Sequence, residues 1–345
     1  MKLRSFSSLT GVALLAAWGG AAQAGAIIGD GNVKLGVDDL AQLNIAGVVP
    51  STGGGETTVG VRYIPSGDLS GSGAEYESTS HGCLCEGWGV AASGASGYAN
   101  NALGTAGLVQ DSFVSTATTA TVVTTAAAAN VKVTHDFALS PDTDNLFKVT
   151  VTIEALADVT NVEYRRTMDW DADPTPFNEL VTIGGTAAAT NVAGASNDGF
   201  SSSDPLSSIC GAFGIASCLQ GDFVDQGYGS SNDHGANFDF IFGDLATGET
   251  ASFDIFYGGA DNVTDAFATM AAAGVEVYSL GRSDTDVDGD GFNDSTGAAT
   301  PTFIFGFAGV GGVVVEPGPI PVPAPLALMA IGLLGVFASK RLRKI

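Results

Sequence analysis

Oxygen donors at alternate positions mark one short segment of this chain, Ser283 to Gly297, "SDTDVDGDGFNDSTG". From Asp286 it reads Asp286-x-Asp288-x-Asp290-Gly291-x-x-Asp294, and Phe292 could add its backbone carbonyl. Hard carboxylate oxygens at every second residue, with a glycine for the sharp bend, are what a calcium loop requires. A register starting at Asp284 also opens like an EF-hand, but its twelfth position is Ser295, where a bidentate Glu belongs. The expected ligand set for a structural Ca2+ is therefore Asp284, Asp286, Asp288, Asp290, Phe292 and Asp294. Clustered carboxylates repel one another, so an ion would stabilise the loop, and outside a cell an affinity of ~10⁻⁴–10⁻³ M suffices. The competing reading is a solvated acidic hairpin tip.

A second acidic cluster lies in "RRTMDWDADPTPFNE", Arg165 to Glu179. Continued strand alternation would put Asp169, Asp171 and Asp173 on one face and Trp170 on the other. That pattern suits a second cation site, or the paired carboxylates of a glycosidase with Glu179 as partner. It equally suits a sheet edge at which Arg165 and Arg166 pair with the acids and Pro174 and Pro176 end the strand. No catalytic residue is assigned. The three histidines (His81, His135 and His234) stand far apart, and no HExxH, G-x-S-x-G or phosphate-binding loop occurs. Trp88 and Trp170, if exposed, could stack on sugar rings; the favoured reading is that each is a core or disulfide-covering residue.

The elements that must position these residues are strands. In "FKVTVTIE", Phe147, Val149, Val151 and Ile153 fall on one face and Lys148, Thr150, Thr152 and Glu154 on the other. Phe238, Phe240 and Phe242 align in the same way, as do Phe253, Ile255 and Tyr257, and then Phe303, Phe305 and Phe307. "GDLATGET" between two of these runs predicts a hairpin or a crossing between sheets. "STATTATVVTTAAAANVKVTHDF" is long enough for two strands. Segments 50–58 and 66–82 have the Gly/Ser composition of loops. Only "DNVTDAFATMAAAG" has helical spacing, with Asn262 as N-cap, Asp265 in the first turn and Gly274 at the end. The expected fold is mainly β: an antiparallel β-sandwich, Ig-like or jelly-roll-like, with one short helix and a C-terminal hydrophobic helix.

The ends of the chain carry addresses. Residues 1–24 have the three parts of a signal peptide: Lys2 and Arg4, an apolar run, and small residues Ala22 and Ala24 before a cleavage point at Gly25. The body is expected over 25–312, as one domain or as two subdomains with a break near 130. Of 13 Lys+Arg, six lie in the two end segments, while all 37 Asp+Glu lie between them, which leaves 7 basic residues in the body. Such a surface repels phosphates and anionic lipid, which excludes nucleic acid as a partner and favours divalent cations. Four cysteines (Cys83, Cys85, Cys210 and Cys218) imply two disulfides in an exported chain, with the pairing open. A four-thiolate zinc site lacks its usual spacing.

A proline-rich spacer, 313–325, leads into the tail. Leu326 to Ser339 are apolar or small, fourteen residues that span ~21 Å as a helix against ~30 Å of hydrocarbon. Lys340, Arg341, Arg343 and Lys344 would hold the end on the cytoplasmic side. The order of proline motif, short apolar span and basic stop over 322–345 resembles the PEP-CTERM sorting signal of bacteria that use exosortases. Val322-Pro323-Ala324-Pro325 stands where that family usually has Val-Pro-Glu-Pro. The resemblance implies signal peptidase and exosortase as processing enzymes and transient anchoring in the inner membrane. Release to the outer surface or an exopolysaccharide matrix would follow, with a structural or adhesive role there. A carbohydrate-binding module or a polysaccharide-acting hydrolase is the alternative. The aspartate-rich segment likewise resembles the calcium repeats of extracellular proteins such as thrombospondin type 3.

Overall fold

A computed structural model describes residues 25–65, 74–211, 218–224 and 233–317. The signal segment, the sorting motif Val322–Pro325, the apolar tail and its basic stop lie outside the described residues. Within them, no helix is long and apolar enough to cross a membrane.

The described residues fold mainly as antiparallel sheets. The largest has nine strands, in the order Phe223–Val224, Glu179–Gly184, Val277–Ser283, Thr302–Ala308, Thr250–Ala260, Leu146–Ala155, Val131–Leu139, Thr119–Ala126 and Val109–Ser115. A five-stranded sheet runs Val192–Ser196, Gly235–Leu245, Val159–Asp169, Gly87–Ala92 and Ala95–Asn100. A smaller sheet of Gly25–Asp30, Val33–Asp38, Val61–Tyr63 and Tyr76–Glu77 packs on the same core. The pair Tyr76–Glu77 forms inside a segment whose Gly/Ser content reads as loop, because Arg62 opposite it supplies Glu77 with a buried ion partner.

The period-2 pattern does the work the sequence suggests. Phe147, Val149, Val151 and Ile153 are all buried, while the polar residues between them stay half-exposed. The two large sheets then meet through aromatic side chains. Phe238 and Phe240 of the five-stranded sheet approach Phe307 of the nine-stranded sheet with centroids 4.9 and 4.7 Å apart, and Phe240 lies 5.5 Å from Phe253. Each such pair contributes about 0.5–1.5 kcal/mol beyond the area it buries. "GDLATGET" is a crossing rather than a hairpin: Gly235–Leu245 belongs to one sheet and Thr250–Ala260 to the other. Position 130 is a hairpin turn inside the large sheet, with Ala126 paired to Val131.

The helix Val263–Ala272 starts where the sequence places it. Asn262 Oδ1 accepts the Asp265 N–H at 2.8 Å, which satisfies one of the orphan donors of the first turn. Its apolar side packs Ala266 and Met270 against Phe256, Leu280 and Ile304.

Charge is buried inside the sandwich as well. Arg166 and Glu86 are both fully buried and form an ion pair; Tyr257 Oη donates to the same carboxylate at 3.1 Å and the Leu43 N–H to its other oxygen at 2.8 Å. Arg165 pairs with Asp239 in the same strand register. The two arginines thus serve Glu86 and Asp239, not the aspartates that follow them in sequence, because Val159–Asp169 is a central strand whose neighbours carry their own acids.

Two outcomes follow from this core. Arg166→Met leaves Glu86 buried without a cation and should lower unfolding stability in urea by about 3–5 kcal/mol, whereas the paired change Arg166→Met with Glu86→Gln should recover much of that loss. The second concerns His135, which is fully buried, 3.0 Å through Nε2 from Tyr164 Oη and 4.4 Å from the Trp88 ring. Burial, with the Arg166 guanidinium nearby, holds its pKa well below 6.5. The unfolded chain takes up this proton as pH falls and the folded chain does not, so stability present above that pH is lost below it. Between about pH 7 and pH 5, His135→Gln should lose about 2 kcal/mol less stability than the parent protein; an equal loss in both would contradict the assignment.

Candidate metal centres

Two groups of carboxylates come together at one end of the sandwich. The first is the aspartate-rich loop. One oxygen from each of Asp286, Asp288 and Asp290 lies within 4.8 Å of the others. Asp286 is fully buried, and burial pushes its pKa up to about 6 against the opposing pull of Arg282. Its Oδ2 accepts the Gly291 N–H at 3.2 Å, and its Oδ1 has no partner among the described residues.

The loop is shaped by its own side chains. Asp288 Oδ1 accepts from the Asp290 N–H, Asp290 Oδ1 from the Phe292 N–H, and Asp294 Oδ2 from the Val287 N–H. The helix anchors it, since Gly289 O accepts the N–H of Val263 at 3.1 Å. Of the six expected ligands, the structure gathers three. Asp284 and Asp294 stand outside that group: the Asp284 N–H bonds to Thr175 Oγ1 and Asn178 O, and the Asp294 N–H to Thr285 O. Phe292 pairs through its backbone with Ala299, and its ring is exposed. The gathered residues match the register that begins at Asp286 rather than the one at Asp284.

The second group forms at the end of Val159–Asp169. Oxygens of Asp169, Asp171 and Asp233 lie within 4.8 Å of one another. Alternation does bring Asp169 and Asp171 to one side, with Trp170 turned into the core, where its Nε1–H donates to Ser279 Oγ at 3.0 Å. Asp233 arrives from the start of Gly235–Leu245. Glycine makes this possible: a Cβ on Gly235 would stand 2.0 Å from Met168 O and 2.7 Å from Asp169 Cα.

Burial raises the carboxyl pKa of Asp169 and Asp171; repulsion from Asp171 and Asp233 adds to the first, and repulsion from Asp233 to the second. Glu179 is raised by burial and then by Asp171, Asp169 and Asp233, which places it in the same electrostatic neighbourhood. Asp173 leaves the group. Its Oδ2 accepts the Glu77 N–H at 2.9 Å, and its Oδ1 lies 3.0 Å from His81 Nε2.

Other expected features find their places. Cys83 pairs with Cys85 and Cys210 with Cys218. The bonded sulfurs carry no thiolate, which removes the zinc alternative. Trp88 and Trp170 are both fully buried, so neither offers a face to a sugar. Asp169, Asp171 and Glu179 are 2, 0 and 0% exposed, closed to a polysaccharide chain. His234 meets Asn197 Nδ2 through Nδ1 at 3.0 Å and stacks edge-on near Phe223. Sequence spacing missed Asp233, more than sixty residues from Asp169; only the pairing of Asp169 with Gly235 brings the two strands into register. No family model, curated protein or solved structure matches this chain.

The bend at Gly291 tests the loop. Its φ is +92°, and an added Cβ would stand 2.0 Å from Asp261 O. Gly291→Ala should therefore cost about 1–3 kcal/mol of stability and weaken binding of any loop ion, both measurable by calcium titration and denaturant unfolding.

Proposed function

We propose that this chain is an exported bacterial protein of the cell surface or extracellular matrix. In this reading it is a disulfide- and calcium-stabilised β module with a structural or adhesive role among exopolysaccharide. The observation that carries the reading is the loop: three aspartate oxygens within 4.8 Å, one of them on a fully buried residue with an oxygen left unpartnered. Calcium takes six to eight oxygen ligands in flexible geometry, so carboxylates supplemented by backbone carbonyls and water suit it better than a softer metal.

Two intrachain disulfides fit an oxidising compartment. The leader, the proline spacer and the PEP-CTERM-like tail supply the route: export, a pause in the inner membrane, removal of the tail by an exosortase, and delivery outward. The sealed carboxylates and buried tryptophans favour this reading over a hydrolase or a carbohydrate-binding module.

Mass spectrometry of the protein recovered from its native host tests the route. The expected mature chain begins at Gly25, lacks the apolar tail and is found in the surface or matrix fraction. A chain that still carries Met1, or one that retains Ile345 in the inner membrane, would contradict it. For the purified body, a chelator should lower the melting temperature, and Asp288→Asn should lower the calcium response of the loop; an unchanged transition with and without calcium would remove the ion from the account.

A further inference from the structure

We infer that Asp169, Asp171 and Asp233, with Glu179 beside them, form a second, buried site for a divalent cation bound through oxygen, with calcium as its ion. This site is separate from the aspartate loop and does not depend on the export route.

Two glutamates buried in or beside the sheets show one way in which this protein neutralises such acids. Glu77 accepts from Arg62 Nε at 3.1 Å and from the N–H groups of Gly60, Val61, Ser78 and Thr79. Glu86 has Arg166, Tyr257 and the Leu43 N–H. Each is saturated with donors and paired with a guanidinium, as a buried carboxylate must be. Asp171 is fully buried, and among the described residues neither of its carboxylate oxygens has a partner. Asp169 Oδ1 and Glu179 Oε2 are likewise buried and unpartnered, and so is Asp233 Oδ1. Glu179 comes from a different sheet; its Oε1 accepts the Phe177 N–H, and its Oε2 is buried and, among the described residues, unpartnered.

Among the described residues no lysine or arginine remains to fill the gap. The body has seven Lys and Arg, and the described structure commits each elsewhere: Lys34 to Glu75, Arg62 to Glu75 and Glu77, Lys132 to Glu154, Lys148 to Asp254, Arg165 to Asp239, and Arg166 to Glu86. Arg282, the seventh, donates to Val287 O beside Asp286. The segments outside the description between residues 66 and 232 contain no Lys or Arg. Three carboxylates at this spacing can be neutralised by sharing protons or by a divalent ion. Orphaned oxygens on opposing buried residues suit an ion that takes several oxygen ligands. The nearest sulfur, Cys83 Sγ at 3.4 Å from Asp169 Oδ2, is disulfide-bonded and gives no thiolate. The donor set is therefore hard oxygen, which points to calcium rather than zinc or copper. Asp233 is only partly covered, which gives the ion a route in.

The test uses the purified disulfide-bonded body, stripped with chelator and titrated with CaCl2 by calorimetry. The parent protein should bind one more ion than Asp171→Asn, and Asp288→Asn should leave that ion in place. Melting curves should cross. In chelator Asp171→Asn should be more stable than the parent, because a buried repulsive charge is gone, and in excess calcium it should be less stable. Equal stoichiometry, or curves that do not cross, would overturn the inference.

A measurement on the unaltered chain guards against a variant that fails to fold. Terbium replaces calcium at oxygen sites, and Trp170 lies between two of the ligands in sequence, whereas the aspartate loop contains no tryptophan. Terbium emission excited through tryptophan and displaced by calcium would support the buried site; terbium binding without tryptophan-sensitised emission would overturn it.

Discussion

The shortage of cations governs this molecule. Between the two end segments seven lysines and arginines face thirty-seven carboxylates, and three of the arginines are spent on acids in or beside the sheets. Arg62 holds Glu77, Arg165 holds Asp239 and Arg166 holds Glu86. Burying a carboxylate without a partner costs several kcal/mol, so the group of Asp169, Asp171 and Asp233, which receives no arginine among the described residues, is electrostatically incomplete. The aspartate loop, where Arg282 alone stands beside Asp286, lies at the same end.

Backbone pairing explains why they are neighbours. Glu179 pairs with Ser283, the residue at which Val277–Ser283 gives way to the aspartate loop. Thr175 Oγ1, Ser283 Oγ and Thr285 Oγ1 form a short chain of hydroxyl contacts at 2.8 and 2.7 Å between the segment that follows Asp173 and that loop. The loop in turn accepts the N–H of Val263 and so fixes the start of the helix. An ion at Asp169, Asp171 and Asp233 would brace the end of the five-stranded sheet, and one in the loop would brace the helix entry. The rest of the sandwich, held by Phe238, Phe240, Phe253 and Phe307, needs no such help.

Much of this was legible in sequence where the signal is local. Alternation in "FKVTVTIE" gives the buried face of its strand because each side chain's fate depends on its own parity. The helix could be bounded because Asn262 and Asp265 act within one turn. The aspartate loop is readable since its ligands lie within five residues. What could not be read is non-local. Strand order places Gly235 against Asp169 and so supplies Asp233, and nothing in "RRTMDWDADPTPFNE" predicts that partner. The same passage invites pairing of Arg165 and Arg166 with the aspartates that follow; a central strand sends those arginines to acids on its flanking strands instead. Trp88 and Trp170 take the core reading rather than the sugar-stacking one, and their indole N–H groups find Leu40 O and Ser279 Oγ inside.

The most direct measurement is an anomalous diffraction map from crystals grown with a calcium-site metal such as manganese or a lanthanide. The account predicts a peak bounded by carboxylate oxygens of Asp169, Asp171 and Asp233 at roughly 2.0–2.6 Å, together with one at Asp286, Asp288 and Asp290. Density that showed Asp169 and Asp171 joined by a short carboxyl–carboxylate hydrogen bond, with no anomalous peak between them, would contradict it.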